Sequence, residues 1–238
     1  SNQFIVAMYY RIFYQIGLCN ELLRQVEANP AGVQFTNKGA LIAEARALRA
    51  LSYYHAIDMF GNVPFSTEND SVGAVGPRQI KRAELFEWIE KECKELIEGN
   101  DLAAEGTNVY GRCDKGFVKM ILAKLYLNAE VYVGQDRYAD CAAICEDLVG
   151  QYNLHTNFAE LFCADNHLRT ANSTFGANNE IIFAVPHDGI NTTSYGGTNF
   201  LIFAGTGGDM DASAAGISSG WGGLSVTKQV SERYAEGD

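Results

Sequence analysis

The chain has 238 residues, 47% of them apolar and 20% charged, enough length and apolar content to bury a core and too many apolar residues for a disordered tail. Eighteen Lys and Arg stand against 29 Asp and Glu, a net charge of −11; with no basic patch along the chain, phosphate repulsion excludes nucleic acid as a partner. No apolar run approaches the ~18 residues of a membrane-spanning helix.

Helical spacing of apolar residues predicts helices near 3–28, 38–60, 82–98, 114–133 and 136–150. Leu85, Phe86, Ile89, Cys93, Leu96 and Ile97 form one stripe, and Phe117, Val118, Ile121, Leu122, Leu125 and Ala129 form another. The four prolines (30, 64, 77, 186) all fall outside these segments, as helix interiors require. Short connections between successive helices imply antiparallel hairpins, and Gly134, Tyr138 and Ala142 mark a close helix approach, although no clean 34-residue period emerges. Near residue 160 the texture changes. Eleven of the 24 glycines lie in residues 187–238, among Asn, Ser, Thr and aromatic residues. There Glu180 to Val185 reads as a strand stopped by Pro186, and Leu224 to Tyr234 as a last short helix. The expected fold is mainly α: a tetratricopeptide-like stack of helical hairpins over 1–160, then an irregular, loop-rich ligand-binding portion over 161–238 with one or few short strands.

Six cysteines (19, 93, 113, 141, 145, 163) include no C-x-x-C pair and read as buried free thiols. Leu18-Cys19 lacks the small residue that precedes a lipid-modified cysteine and reads as an ordinary helical position. Cys163 with His167 is a lone C-x-x-x-H, and Asp209-x-Asp211 lacks the further ligands of a calcium loop, so neither metal nor cofactor is expected. Gly216-Ile217-Ser218-Ser219-Gly220 matches G-x-S-x-G. A nucleophile elbow needs a strand before its serine and a helix after it, whereas glycine-rich loop flanks Ser218 and all four histidines (55, 155, 167, 187) precede it. The chain is expected not to be an enzyme, with a serine esterase acting through Ser218 as an alternative.

Residues 43–65, AEARALRALSYYHAIDMFGNVPF, pack alanines that let helices approach, and place Glu44 near Arg46 and Arg49 as a structural ion-pair cluster. Gly61 ends this helix and Pro64 prevents its resumption. The segment resembles the signature of the SusD/RagB family, glycan-binding lipoproteins of the Bacteroidetes outer membrane. Arg82 to Phe86, Gly111-Arg112, Ala123 to Leu127, Tyr152 to Leu154, Leu161-Phe162 and Asn179 to Phe183 follow in that family's order. The resemblance implies a tetratricopeptide-like scaffold, a position on the outward-facing surface of the outer membrane through a lipid anchor outside this fragment, and delivery of glycan to a TonB-dependent, SusC-like porter. It also implies that family members continue beyond Asp238.

Within the family, DGINTTSYGGTNF at 188–200 and Ser219 to Gly223 resemble the starch-binding branch, which maps an aromatic arc onto Tyr195 and Trp221. A pyranose offers a weakly positive C–H face to an aromatic ring and a rim of hydroxyls to polar groups. Small neighbours leave both rings open, and Asn191 and Asn199 are candidates for hydroxyl contacts. An arc of rings suits the curvature of an α-glucan, so starch or maltooligosaccharide is the expected ligand. A helical-repeat scaffold for a protein partner is the alternative from another class.

Overall fold

The structure, a computed structural model, describes residues 2–30, 32–73, 75–155, 161, 180–186, 190, 199–214 and 216–235, without the side chains of 199–201. They belong to two compact units, Ser1–Ala184 and Val185–Asp238.

The first unit is a run of helices, each packed on its predecessor: α1 (Gln3–Ala28) on α2 (Lys38–Phe60), α2 on α3 (Arg82–Glu98), and α3 on α4 (Lys115–Leu127). After the short α5 (Ala129–Val133), α6 (Tyr138–Leu148) returns along α4. The predicted helices are present, with the 114–133 segment divided at Asn128. The tetratricopeptide-like reading of the scaffold agrees with this order of hairpins.

Capping sets the helix ends. Asn2 accepts from the Phe4 N–H at 2.9 Å, Asp114 accepts from the Phe117 N–H at 2.9 Å, and Asn29 and Gly61 close α1 and α2 at positive φ. Alanines 43, 47, 50 and 56 are buried along α2, which brings its neighbours close.

Two strands that the sequence did not announce, β1 (Val63–Phe65) and β2 (Arg78–Ile80), pair antiparallel with Val63 opposite Ile80. Pro64 is tolerated because a two-stranded ribbon consists only of edges. The expected strand at 180–185 is absent: those residues have no ladder partner among the described ones. Phe183 instead lays its ring on Phe117, centroids 4.3 Å apart, tying the segment to α4 by side-chain packing. The expected helix at 224–234 shortens to α8 (Lys228–Ser231). A further helix, α7 (Asn199–Gly205), lies where loop was expected.

The ion-pair cluster exists with different partners. Residues two and five apart on a helix point to different faces, so Glu44 does not meet Arg46 or Arg49. Glu44 takes both Nε and Nη2 of Arg112 at 2.7 Å, and Arg46 grips Glu92 at 2.8 and 3.1 Å. Arg49, 2% exposed, donates to Asn20 at 2.8 Å and to Glu92 at 3.4 Å, pairs with Glu68, and lies 5.4 Å from the centroid of Trp88. The thiols also differ in part from expectation. Cys19, Cys93 and Cys113 are buried, but Cys145 on α6 is exposed, and Cys163 is outside the described residues.

Removing one member of a buried charge network strands the others. Arg49→Met should therefore lower the unfolding free energy by about 3 kcal/mol in urea denaturation, and Arg112→Ala, at a half-exposed guanidinium, by less than about 1 kcal/mol. Equal losses would show that burial adds nothing.

Glu90 supplies a pH test. Burial acts to raise its pKa, but hydrogen bonds from Lys94, Tyr126 and Arg137 outweigh burial and bring it down from 4.5 to about 2. A carboxyl with a lowered folded-state pKa holds fewer protons folded than unfolded, so its stabilisation is complete above 4.5 and fades as pH falls toward 2. The urea-midpoint difference between the native chain and Glu90→Gln should be steady near neutrality and shrink across that window. A difference independent of pH would overturn this account.

Candidate functional site

The second unit is assembled around the end of α7. The last carbonyls of a helix have no partner within it, and here a distant loop supplies the donors. The Trp221 N–H donates to the Phe203 carbonyl at 2.7 Å, and those of Gly223 and Leu224 to Ala204 at 3.0 and 2.9 Å. Just past the helix, the Gly222 N–H reaches the Thr206 carbonyl at 2.9 Å. Thr206 turns inward, its hydroxyl donating to Ile202 at 2.7 Å.

Glycine makes the contact possible. A Cβ on Gly220 would overlap the Thr206 carbonyl oxygen, and one on Gly207 would overlap the Cα of Gly222. Residues 220–224 thus form a clasp of two backbones at a separation no side chain permits.

The clasp fixes Trp221. Its indole leans on Phe203, centroids 5.3 Å apart and planes 31° from parallel, yet the residue remains 59% exposed. A large ring held by its own backbone and backed on one side is a preorganised apolar surface. Asp209 and Asp211 are the charged residues between Asn199 and Thr227. Asp211 accepts from the amide and hydroxyl of Ser213 at 2.9 and 2.6 Å, bonds that lower its pKa.

Of the residues nominated from sequence, Trp221 stands in this arrangement. Asn199 opens α7, its side chain outside the described set, and Tyr195 and Asn191 lie outside the described residues. Phe203 was not nominated. Its signal was the apolar run Phe200-Leu-Ile-Phe203 before Gly205, short enough to pass for loop.

Other candidates have less to offer. Ser218 sits in the loop between α7 and α8, with no strand before it among the described residues, so an elbow geometry is missing there. Cys163, His167 and His187 lie outside the described residues. Among the described residues no group of three His, Cys, Asp or Glu side chains could hold a metal ion. A pocket in the first unit, about 30 Å³ in volume, is lined by Gly106, Asn108, Arg112, Asp114 and Tyr152 among others and holds none of the residues nominated from sequence. Burial, with the carboxylates of Asp114 and Glu105 nearby, raises the pKa of Tyr152, so its phenol stays protonated.

No protein-family model matches the chain. The starch-binding protein SusD of Bacteroides thetaiotaomicron is 35% identical over 205 residues, 85% of this chain and 34% of that protein. A SusD superfamily protein from Parabacteroides distasonis superposes with a TM-score of 0.61 at 23% identity, over 76% of this chain and 37% of the other. Surface glycan-binding protein A from Bacteroides thetaiotaomicron, in complex with laminarihexaose, gives 0.53 at 22% identity, over 67% of this chain and 32% of the other. The chain therefore spans about a third of the length of these relatives.

Gly220→Ala should force residues 220–224 off the end of α7 and change the surroundings of the indole. With 5-fluorotryptophan incorporated, the Trp221 fluorine resonance should shift and broaden while that of Trp88 stays in place; an unmoved Trp221 resonance would mean that the clasp does not hold the ring.

Proposed function

We propose, from the premise that this chain belongs to the SusD family, that it binds a neutral glycan without chemically altering it, and that the glycan is an α-glucan such as starch or a maltooligosaccharide. The observation that carries this reading is the exposed Trp221 indole, backed by Phe203 and fixed by the backbone clasp. Such a ring suits the C–H face of a pyranose. The local charge supports neutrality of the ligand: Asp209 and Asp211, with no Lys or Arg between Asn199 and Thr227, would repel uronate or sulfate groups.

The choice of an α-glucan rests on the identity to starch-binding SusD, 35% over 85% of this chain. Tyr195 would supply a second ring, and Asn191 and Asn199 would supply hydroxyl contacts. In this reading the protein sits on the outward face of the outer membrane and passes glycan to a TonB-dependent porter of the SusC type.

Trp221→Ala should weaken maltoheptaose binding at least tenfold in isothermal titration, a loss of about 1.4 kcal/mol or more, with unchanged far-ultraviolet circular dichroism. Laminarihexaose serves as the β-linked comparison. Retention of maltoheptaose affinity in Trp221→Ala would remove this ring from the site, and preference for laminarihexaose would replace the α-glucan by a β-glucan.

A further inference from the structure

Two cysteines share one side of α6. Cys141 and Cys145 are four residues apart, which sets their side chains one above the other on neighbouring turns. Cys141 is half-buried and rests against the hydrophobic core with Ile144, while Cys145 is exposed. Burial, and then the charge and hydrogen bonding of Cys145, push the Cys141 thiol up, so the two sulfur groups lie within reach of one another.

Spacing decides what these sulfurs can bond. Cβ atoms four apart on a helix are separated by about 5–6 Å, whereas a disulfide needs about 3.5–4.5 Å. The pair therefore stays as two free thiols while α6 keeps its helical form. A metal ion placed between them, with bonds to sulfur of about 2.3 Å each, spans the wider gap. Ligand number then narrows the choice of ion. Among the described residues no group of three His, Cys, Asp or Glu side chains could hold a metal, so the tetrahedral set that zinc requires is missing there. Two soft donors without a third suit a monovalent d10 cation, which accepts two thiolates in a line. Charge agrees with a cation: α6 contains Asp140, Glu146 and Asp147 and neither Lys nor Arg. Arg137 and Lys119 pair with the two aspartates, and Glu146 adds its charge next to Cys145.

We propose that Cys141 and Cys145 chelate one thiophilic d10 cation of the Cu(I) class. Each thiol gives up its proton to solvent, two sulfur–metal bonds form, and neither sulfur nor metal changes oxidation state. The ion also offsets the repulsion that two neighbouring thiolates would otherwise exert on each other.

The reduced chain, titrated anaerobically with Cu(I) in competition with bicinchoninate, should take up one ion at this pair. Cys145→Ser, on an exposed position, should lower the affinity by about a hundredfold or more through loss of chelation, with unchanged helicity. Cys145→Ser combined with Glu146→Cys keeps the number of thiols but turns the second one about 100° around the helix, and should not recover the affinity. X-ray absorption at the copper edge should show two sulfur neighbours. Absence of uptake would overturn the proposal, as would uptake indifferent to Cys145→Ser, full recovery in the Glu146→Cys combination or a shell of three sulfurs. Maltoheptaose binding is read separately, so failure here leaves the glycan reading intact.

Discussion

The first unit depends on one guanidinium. Arg49 is buried in the middle of α2, and its hydrogen bonds and ion pairs reach Asn20 on α1, Glu68 after β1 and Glu92 on α3. Three separate stretches of chain are thereby held to one planar group whose geometry admits little error. Around it, the rings of Tyr53, Phe65 and Trp88 lie with their centroids 5.0–5.2 Å from one another, and the Tyr53 hydroxyl both donates to and accepts from the backbone of Ser66. A buried charge costs solvation that apolar packing would not, so its return is specificity: it fixes which loop and which helix face meet α2.

The second unit is held by a different device. Among its described residues there is no comparable charge network, and α7 has only seven residues. Backbone donors from 221–224 close the carbonyl end of that helix, and glycines at 207 and 220 allow the approach. Hydrogen bonds that would otherwise go to water become the means of aiming a ring. The exposure of Trp221 follows from that fixation, because its backbone is committed to the helix end while its side chain projects past it.

The helices of the first unit were legible because burial of one helix face imposes a 3.6-residue period that proline interrupts only at the ends. The alanines and charged residues of 43–65 were also readable as scaffold, but their partners were not. Glu68 lies 19 positions from Arg49, Glu92 lies 46 from Arg46, and Arg112 lies 68 from Glu44, separations that helical spacing cannot reach. Three-residue strands such as Val63–Phe65 are too short to show alternation, and a glycine clasp has no period at all. Trp221 was nominated through small neighbours and family resemblance; Phe203 beneath it was hidden in a run too brief to announce a helix.

These two devices separate structural charge from the surface proposed to face a ligand. Ion pairs of the described scaffold join its helices and loops, with Arg46, Arg49 and Arg112 each committed to carboxylates. The stretch that presents Trp221 has two carboxylates and no cation. A ligand attracted by long-range charge would find little there, whereas a neutral polymer loses nothing by its absence. Stacking on a preorganised ring is short-ranged and tolerant of translation along a repeating chain, so each sugar unit of a polymer is an equivalent guest. Affinity for such a ligand grows by adding rings to the same surface rather than by adding charge.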